Sequence, residues 1–352
     1  MSNSTWPSVL ATLLAGEDLN RDLAKWAMAQ IMQGEASQAQ MGAFMLALRS
    51  KGESVEELAG LVDVMLSSAV ILETGNDAVD IVGTGGDLIG TVNISSMAAV
   101  VVAASGVPVL KHGSRSASGK TGSSEMLEVL GIRLDLAPDQ VARVFESQGI
   151  TFFYAPVFHP AMRHVATIRK ELGVPTTFNF LGPLANPAQP IATALGVANQ
   201  QIAPLMAQEL AGRGRSGLVF RSNEGLDELS ITSPNEIWEV SNKKVTHHVL
   251  DFGFDATARI EELLGGDAHH NADVALRLFE GENSGNYRSI KNVVLLNAAA
   301  GVVSYDLAKD STQVQLDLNA RFDAALKKVT HALESGAAKQ KLTSWSKATQ
   351  QI

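Results

Sequence analysis

The chain of 352 residues contains no cysteine. Disulfide staples, thiolate zinc sites and cysteine nucleophiles are thereby excluded, in keeping with a reducing cytoplasm. No uninterrupted apolar run is long enough to span a bilayer, and Met1-Ser-Asn-Ser-Thr-Trp6 has neither the basic start nor the apolar stretch of a leader. Neither export nor membrane insertion is expected. Positive charge is scarce: 28 Lys and Arg face 37 Asp and Glu, for a net charge of −9. With a pI near 5.4, that balance argues against a general nucleic-acid binder, which needs a basic face. Several catalytic signatures are missing too. Glycines at 83 and 85 would need a third at 88 for a dinucleotide fingerprint, and Leu88 stands there. Five residues separate Gly113 from Gly119-Lys120-Thr121, one more than a Walker A loop allows. There is no HExxH zinc motif and no GxSxG elbow, and neither His247-His248 nor His269-His270 has the helical spacing of metal ligands.

What is present begins with a core. A hydrophobic content of 45% and a mean hydropathy of +0.08 suit one large domain or two ordinary ones. From Trp6 to about Leu72 apolar residues recur at helical spacing, as in Leu23, Trp26, Ala27 and Ile31, which predicts roughly four short helices. Ser54-Val-Glu-Glu57 has capping-box spacing, and Gly34, Gly52 and Gly75 sit where helices would stop. After Gly75, short β-branched segments (Val79–Val82, Val107–Leu110, Ile150–Tyr154, Ile191–Val197, Gly217–Phe220) alternate with helical ones (from Val92, Ser123–Leu130, Pro138–Ser147). This is the rhythm of an α/β fold with a mainly parallel central sheet. Around His159–Asn186 the pattern turns helical again. The reading is therefore a helical domain over 1–75, completed by about 160–190, and an α/β domain over 76–352, with a polar and loosely held end at Lys341–Ile352.

Two glycine-bearing segments carry the chemistry. Asp80-Ile-Val-Gly-Thr-Gly-Gly-Asp87 followed by Thr91-Val-Asn93-Ile94-Ser95-Ser96 lets the backbone turn sharply and point N–H groups at an anion, with hydroxyl and amide groups opening the next helix. A tight strand-to-helix turn is the plain alternative. Lys111-His112-Gly113-Ser114-Arg115-Ser116-Ala117-Ser118-Gly119-Lys120-Thr121-Gly122-Ser123 gathers cations, hydroxyls and glycines, as a multiply phosphorylated ligand requires, where a solvated basic loop is the alternative. Asp227-Glu228 offers hard oxygen donors suited to Mg²⁺, though such a pair also occurs as surface charge.

These segments, with Phe178-Asn-Phe-Leu-Gly-Pro-Leu-Ala-Asn-Pro187, closely resemble the anthranilate phosphoribosyltransferase family, in the family's order and over nearly the whole chain. The resemblance implies a small helical domain and a large α/β domain with a cleft between them, and a homodimer joined through the helical domain. It implies transfer of a phosphoribosyl group from phosphoribosyl pyrophosphate to the amine of anthranilate. Gly83, Gly86, Asp87, Thr91, Asn93, Ile94, Ser95, Ser96, Lys111 and the loop from Gly113 through Gly119, with Ser123, would hold phosphoribosyl pyrophosphate, and Ser95, Asp227 and Glu228 would hold Mg²⁺. Gly83, Ser114 and Arg169 would face anthranilate, the Arg169 fork pairing with its carboxylate, while His112, His159 and Pro183 would line its path. His112, Lys111 and Arg169 would carry the chemistry. The chain departs from the family pattern at Ser114, where most members have Asn, at Ala185 in place of Thr, and at Glu125 in place of Asp. Two rival readings are a nucleoside phosphorylase of the same fold and a noncatalytic nucleic-acid-binding relative; the acidic balance counts against the second.

Overall fold

The N-terminal block folds as its caps dictate. In a computed structural model that describes residues 4–72, 74–115, 121–254 and 258–352, four helices follow one another: α1 (Trp6–Leu14), α2 (Arg21–Met32), α3 (Gln38–Lys51) and α4 (Val55–Ser67). Each starts where a side-chain oxygen accepts a first-turn N–H, from Thr5, Asn20, Ser37 and Ser54 in turn. Such caps are worth about 0.5–2 kcal/mol each. The box at Ser54 is reciprocal, since Glu57 Oε2 accepts the Ser54 N–H at 2.8 Å. Gly52 ends α3 at φ +91°, but Gly75 stops no helix. Instead α4 ends at Ser67, where the Ser67 hydroxyl and the Ser68 N–H both bond the Val64 carbonyl.

Strands and helices then alternate as the sequence predicts: β1 (Val79–Gly83), α5 (Ile94–Ala104), β2 (Val109–Gly113), α6 (Ser123–Val129), α7 (Pro138–Gln148) and β3 (Ile150–Tyr154). The excursion of α8 (Ala155–Phe158) and α9 (Arg163–Leu172) leads to β4 (Ala192–Gly196), α10 (Ala203–Gly212) and β5 (Ser216–Ser222). Val165, Ile168, Phe178, Leu181 and Leu184 from this excursion share one core with α1 to α4, and α9 packs on α2 and α3. A hairpin of β6 (Asn235–Ser241) and β7 (Lys244–Leu250) was not foreseen. Its strands interleave Glu236, Glu239, His247 and His248 with apolar residues at a sheet edge, so no β-branched run marks them. Asn242 and Lys243, at φ +52° and +61°, make the two-residue turn. Four helices close the chain: α11 (Ala268–Phe279), α12 (Asn286–Lys309), α13 (Leu318–Glu334) and α14 (Ala337–Gln351).

The sheet order is β3-β2-β1-β4-β5-β6-β7, parallel through β5 and antiparallel at β6 and β7. Alternate residues of β1, β4 and β5 serve opposite cores. Val79 and Ile81 face the side covered by α5 and α12 to α14, while Val82 faces the side shared with α10 and the helical block. The end of the chain is not loose. Leu342, Trp345 and Thr349 form a buried stripe along α14, and Ser346 Oγ donates to the Gly131 carbonyl at 2.9 Å. Trp345 is 1% exposed, and a side chain of that size contributes about 3–5 kcal/mol when fully enclosed. Among the described residues no helix is long and apolar enough to cross a membrane.

From β1 the chain runs outward through β2 to β3, then crosses to β4 on the other side of β1. At such a reversal the loops leaving adjacent parallel strands diverge and open a crevice at their carboxyl ends. Gly83 and Gly196 end those two strands and stand opposite one another.

Candidate active site

The crevice is built around Asp227. A Cβ on Gly83 would lie 2.2 Å from Asp227 Oδ2, and one on Gly196 would lie 1.7 Å from the Asp227 carbonyl oxygen. Only glycine fits at either strand end while Asp227 occupies this place. Beyond Gly83 the chain turns through Gly85 and Gly86 at φ +67° and +82°, a region that side chains other than glycine rarely adopt. That turn aims the Gly85 N–H at Asp227 Oδ2, 2.7 Å away. The next carboxylate, Glu228, accepts the Ser95 N–H at 3.1 Å, at the N-terminal end of α5 where the helix dipole favours negative charge. The Asp227-Glu228 pair is thus turned inward and is not surface charge.

Asp227, Glu228 and Asp87 crowd together. Desolvation and the charge of Asp87 push Asp227 up to about 7, and desolvation with the charge of Asp227 raises Glu228 well above the carboxylate range. Lys111 opposes this only in part. It is 1% exposed, and its Nζ donates to the Ile81 carbonyl at 2.6 Å and to Ser95 Oγ at 3.4 Å. Burial lowers its pKa against the pull of Asp80, Glu228 and Asp227. In this arrangement Lys111 is a buried counter-charge, not an open phosphate ligand. Among the described residues no three His, Cys, Asp or Glu side chains form a ready-made metal cage. Mg²⁺ does not need one, because it keeps water and shares its sphere with substrate phosphates. Hard carboxylate oxygens clustered beside an anion-directed helix end fit that ion and the phosphates it would share.

The other sequence-derived residues fall into place around this centre or apart from it. Thr91 bridges to Leu264. Asn93 is the N-cap residue of α5, Ile94 and Ser96 are buried in its first turn, and the Ser96 hydroxyl has no partner among the described residues. Gly113 must be glycine, since a Cβ would meet Ser123 Oγ at 2.5 Å and the Phe152 ring at 2.8 Å. Ser123 Oγ donates to the carbonyl of exposed Ser114 at 3.4 Å. Arg115 is engaged elsewhere, by Glu128 at 3.0 Å and the Tyr154 hydroxyl at 3.0 Å. Ser116, Ala117, Ser118 and Gly119 lie outside the described residues.

A second group surrounds His112. This ring is buried, donates from Nδ1 to the Gly182 carbonyl at 3.1 Å, and stands 5.2 Å from the His159 ring centre. Its Nε2 lone pair has no partner among the described residues. Burial pushes His112 down to about 3 and His159 to about 4, so both are neutral at pH 7. Pro183 is buried in the turn that supplies the Gly182 carbonyl, and His159 Nε2 donates to Ala185 O at 2.9 Å. Arg169, on α9, is partly buried with no hydrogen-bond or ionic partner among the described residues, and desolvation lowers its pKa. An uncompensated guanidinium of this kind is a ready carboxylate receptor.

Four contributors escaped the sequence reading. Asp80 accepts the His112 backbone N–H at 3.1 Å and the Asn186 amide at 2.9 Å, which binds the Gly182–Asn186 segment to the sheet. The two residues lie in the segments Asp80–Asp87 and Phe178–Pro187, but nothing local marks their pairing. Gly196 gives no signal beyond ending a strand. Asn271, whose amide donates to Asn93 Oδ1 at 2.9 Å, lies 178 residues from its partner.

Known proteins match this arrangement along the chain. Residues 75–339 match the model of the glycosyl transferase family a/b domain, and residues 7–69 that of its helical bundle domain. An anthranilate phosphoribosyltransferase of Leifsonia xyli is 50% identical over 348 residues, 98% of either chain. The crystal structure of the Thermus thermophilus anthranilate phosphoribosyltransferase superposes with a TM-score of 0.87 at 36% identity, covering 97% of this chain and 99% of that one. The Saccharomyces cerevisiae enzyme in complex with phosphoribosyl pyrophosphate and Mg shares the fold, with a TM-score of 0.86 at 24% identity over 100% of this chain and 99% of that one. From its glycine-cradled carboxylates to its two domain matches, the chain belongs to the anthranilate phosphoribosyltransferase family.

Proposed function

We propose that this chain transfers the phosphoribosyl group of 5-phosphoribosyl 1-pyrophosphate to the amine of anthranilate. The products are N-(5-phosphoribosyl)anthranilate and pyrophosphate, the second step of tryptophan biosynthesis from chorismate. The observation that carries this reading is the Asp227-Glu228 pair held between Gly83, Gly196 and the N-terminal end of α5, because it sets carboxylates suited to a cation beside backbone N–H groups suited to an anion.

In the reaction the amine nitrogen bonds to ribose C1 as the C1–O bond to pyrophosphate breaks, and the new ammonium then gives up a proton. An aryl amine is already a neutral nucleophile at pH 7, so the main task is to stabilise charge on the leaving group. Mg²⁺ bound by Ser95, Asp227 and Glu228 would supply Lewis-acid stabilisation of phosphate oxygens. The turn from Gly83 to Asp87 and the first turn of α5, with Thr91, Asn93 and Ser96, hold the diphosphate. Lys111 lends positive potential from beneath. Arg169 takes the anthranilate carboxylate, and Ser114 and Pro183 flank the acceptor. The neutral His112 Nε2 accepts the amine proton; its free lone pair supports that role.

The same reading divides the chain into a helical unit over 1–75, completed by about 160–190, and an α/β unit over 76–352. It takes the protein as a cytoplasmic homodimer. Exposed Leu14 on α1, at 79%, and Leu46 on α3, at 42%, support pairing through the helical unit. Mixing the protein with anthranilate, phosphoribosyl pyrophosphate and Mg²⁺ should deplete anthranilate fluorescence. A flat trace contradicts the assignment.

A further inference from the structure

Asn93 occupies the N-cap position of α5 but does not cap it. An asparagine there ordinarily accepts the N–H of the second or third helical residue. Here the second residue is Ser95, and its N–H goes to Glu228 instead, at 3.1 Å. The Asn93 side chain is drawn elsewhere at both ends: Oδ1 accepts from Asn271 Nδ2 at 2.9 Å, and Nδ2 donates to the Thr121 carbonyl at 3.3 Å. Asn271 is 1% exposed, and its own Oδ1 accepts the Gly266 N–H at 2.8 Å.

The segment that presents Asn271 is itself bound to both glycine-bearing loops. The Gly265 N–H donates to Gly90 O and the Val92 N–H to Leu263 O, each at 2.9 Å. The Thr121 hydroxyl donates to the Gly266 carbonyl at 2.9 Å. The approach is so close that a Cβ on Gly265 would meet Asn271 Oδ1 and the Thr91 carbonyl at 2.8 Å.

We propose that Asn271 is a positioning residue for the sugar diphosphate. By holding the Asn93 amide away from its own helix, it leaves the Ser95 N–H to orient Glu228 and fixes the spacing between the loop after β1 and the loop ending at Thr121. This inference rests on the function proposed above, and it assigns a role to a residue of α11 that no phosphate-binding signature marks. Without the Asn271 donor, Asn93 Oδ1 is free to take the Ser95 N–H, and Glu228 loses its hold.

Calorimetric titration of phosphoribosyl pyrophosphate with Mg²⁺ into the full-length protein tests this. Asn271→Asp is nearly isosteric and keeps the acceptor for Gly266 while removing the donor to Asn93; Asn271→Ala removes both. Each should raise the Kd at least tenfold while leaving the anthranilate KM within twofold, and in an Asn93→Ala background the same substitutions should change the Kd less than twofold. An unchanged Kd with the natural Asn93, or an equal loss in both backgrounds, overturns the role of Asn271. Absence of binding by the unsubstituted protein would overturn the function itself, a distinguishable result.

Discussion

His112 and Asp80 meet through one backbone hydrogen bond, yet their environments push them in opposite chemical directions. Burial lowers His112 to about 3 and leaves its imidazole neutral throughout the range in which histidines usually titrate. At saturating Mg²⁺ the anthranilate kcat/KM should therefore stay flat between about pH 6 and 8, the window an ordinary histidine would bend. A break near 6.5 that disappears in His112→Gln would contradict this neutral state. Asp80 is raised from 3.8 to about 6 because desolvation outweighs Lys111 and its donors. Between those values the folded chain keeps a proton that the unfolded chain has released, so this residue's stabilising effect is greatest below about pH 4 and is lost as pH rises through about 6. The rise from 3.8 to about 6 corresponds to an upper limit of roughly 3 kcal/mol. Thermal melts of the wild type and Asp80→Asn should show the wild type's relative stability falling across that window; a constant difference would sink the argument. The residues proposed to hold substrate lie in local motifs, since glycines, hydroxyls and carboxylates cluster along the chain for chemical reasons. The pairings of Asp80, Asn186 and Asn271 were not legible, because a polar side chain paired across 106 or 178 positions carries no local mark.

At the scale of elements, the close meeting of β1, β4 and the Asp227 loop sets the cleft. Gly196→Ala would force a Cβ to within 1.7 Å of the Asp227 carbonyl. We expect more than a hundredfold loss of kcat/KM, with destabilisation of a few kcal/mol, the range of strained packing errors. Gly212 at the end of α10 is the control. An added Cβ there meets nothing within 4 Å, so Gly212→Ala should retain activity and gain up to about 1 kcal/mol from helix propensity. Equal effects in the two variants, by melting and steady-state kinetics, would show that strand-end crowding does not shape the site. The parallel strands and their helices were readable because buried strands write short, mostly apolar runs such as Ile150–Tyr154. The β6–β7 hairpin was not, since its exposed face alternates polar residues into the pattern. Helix α14 was misjudged for a related reason: Leu342, Trp345 and Thr349 form only a narrow stripe in a polar dodecapeptide, and composition concealed the period.

For the molecule as a whole, the helical block and the α/β sheet share a core that runs from α1 through α9 to Val82 and Val219, so the crevice at the strand ends has a helical wall fixed by packing. Replacing Leu14 and Leu46 together with glutamate should convert a dimer to a monomer in sedimentation velocity; an unaltered sedimentation coefficient would remove the helical face from consideration. The central claim concerns charge: two glycine-bearing bends and an acid-anchored divalent ion grip the sugar diphosphate. Its most direct test is calorimetric titration of phosphoribosyl pyrophosphate into the protein with Mg²⁺, then with the metal chelated, and into Asp227→Asn with Mg²⁺. The account predicts saturable binding in the first case and at least a tenfold weaker Kd in the other two. An identical Kd in all three would contradict it.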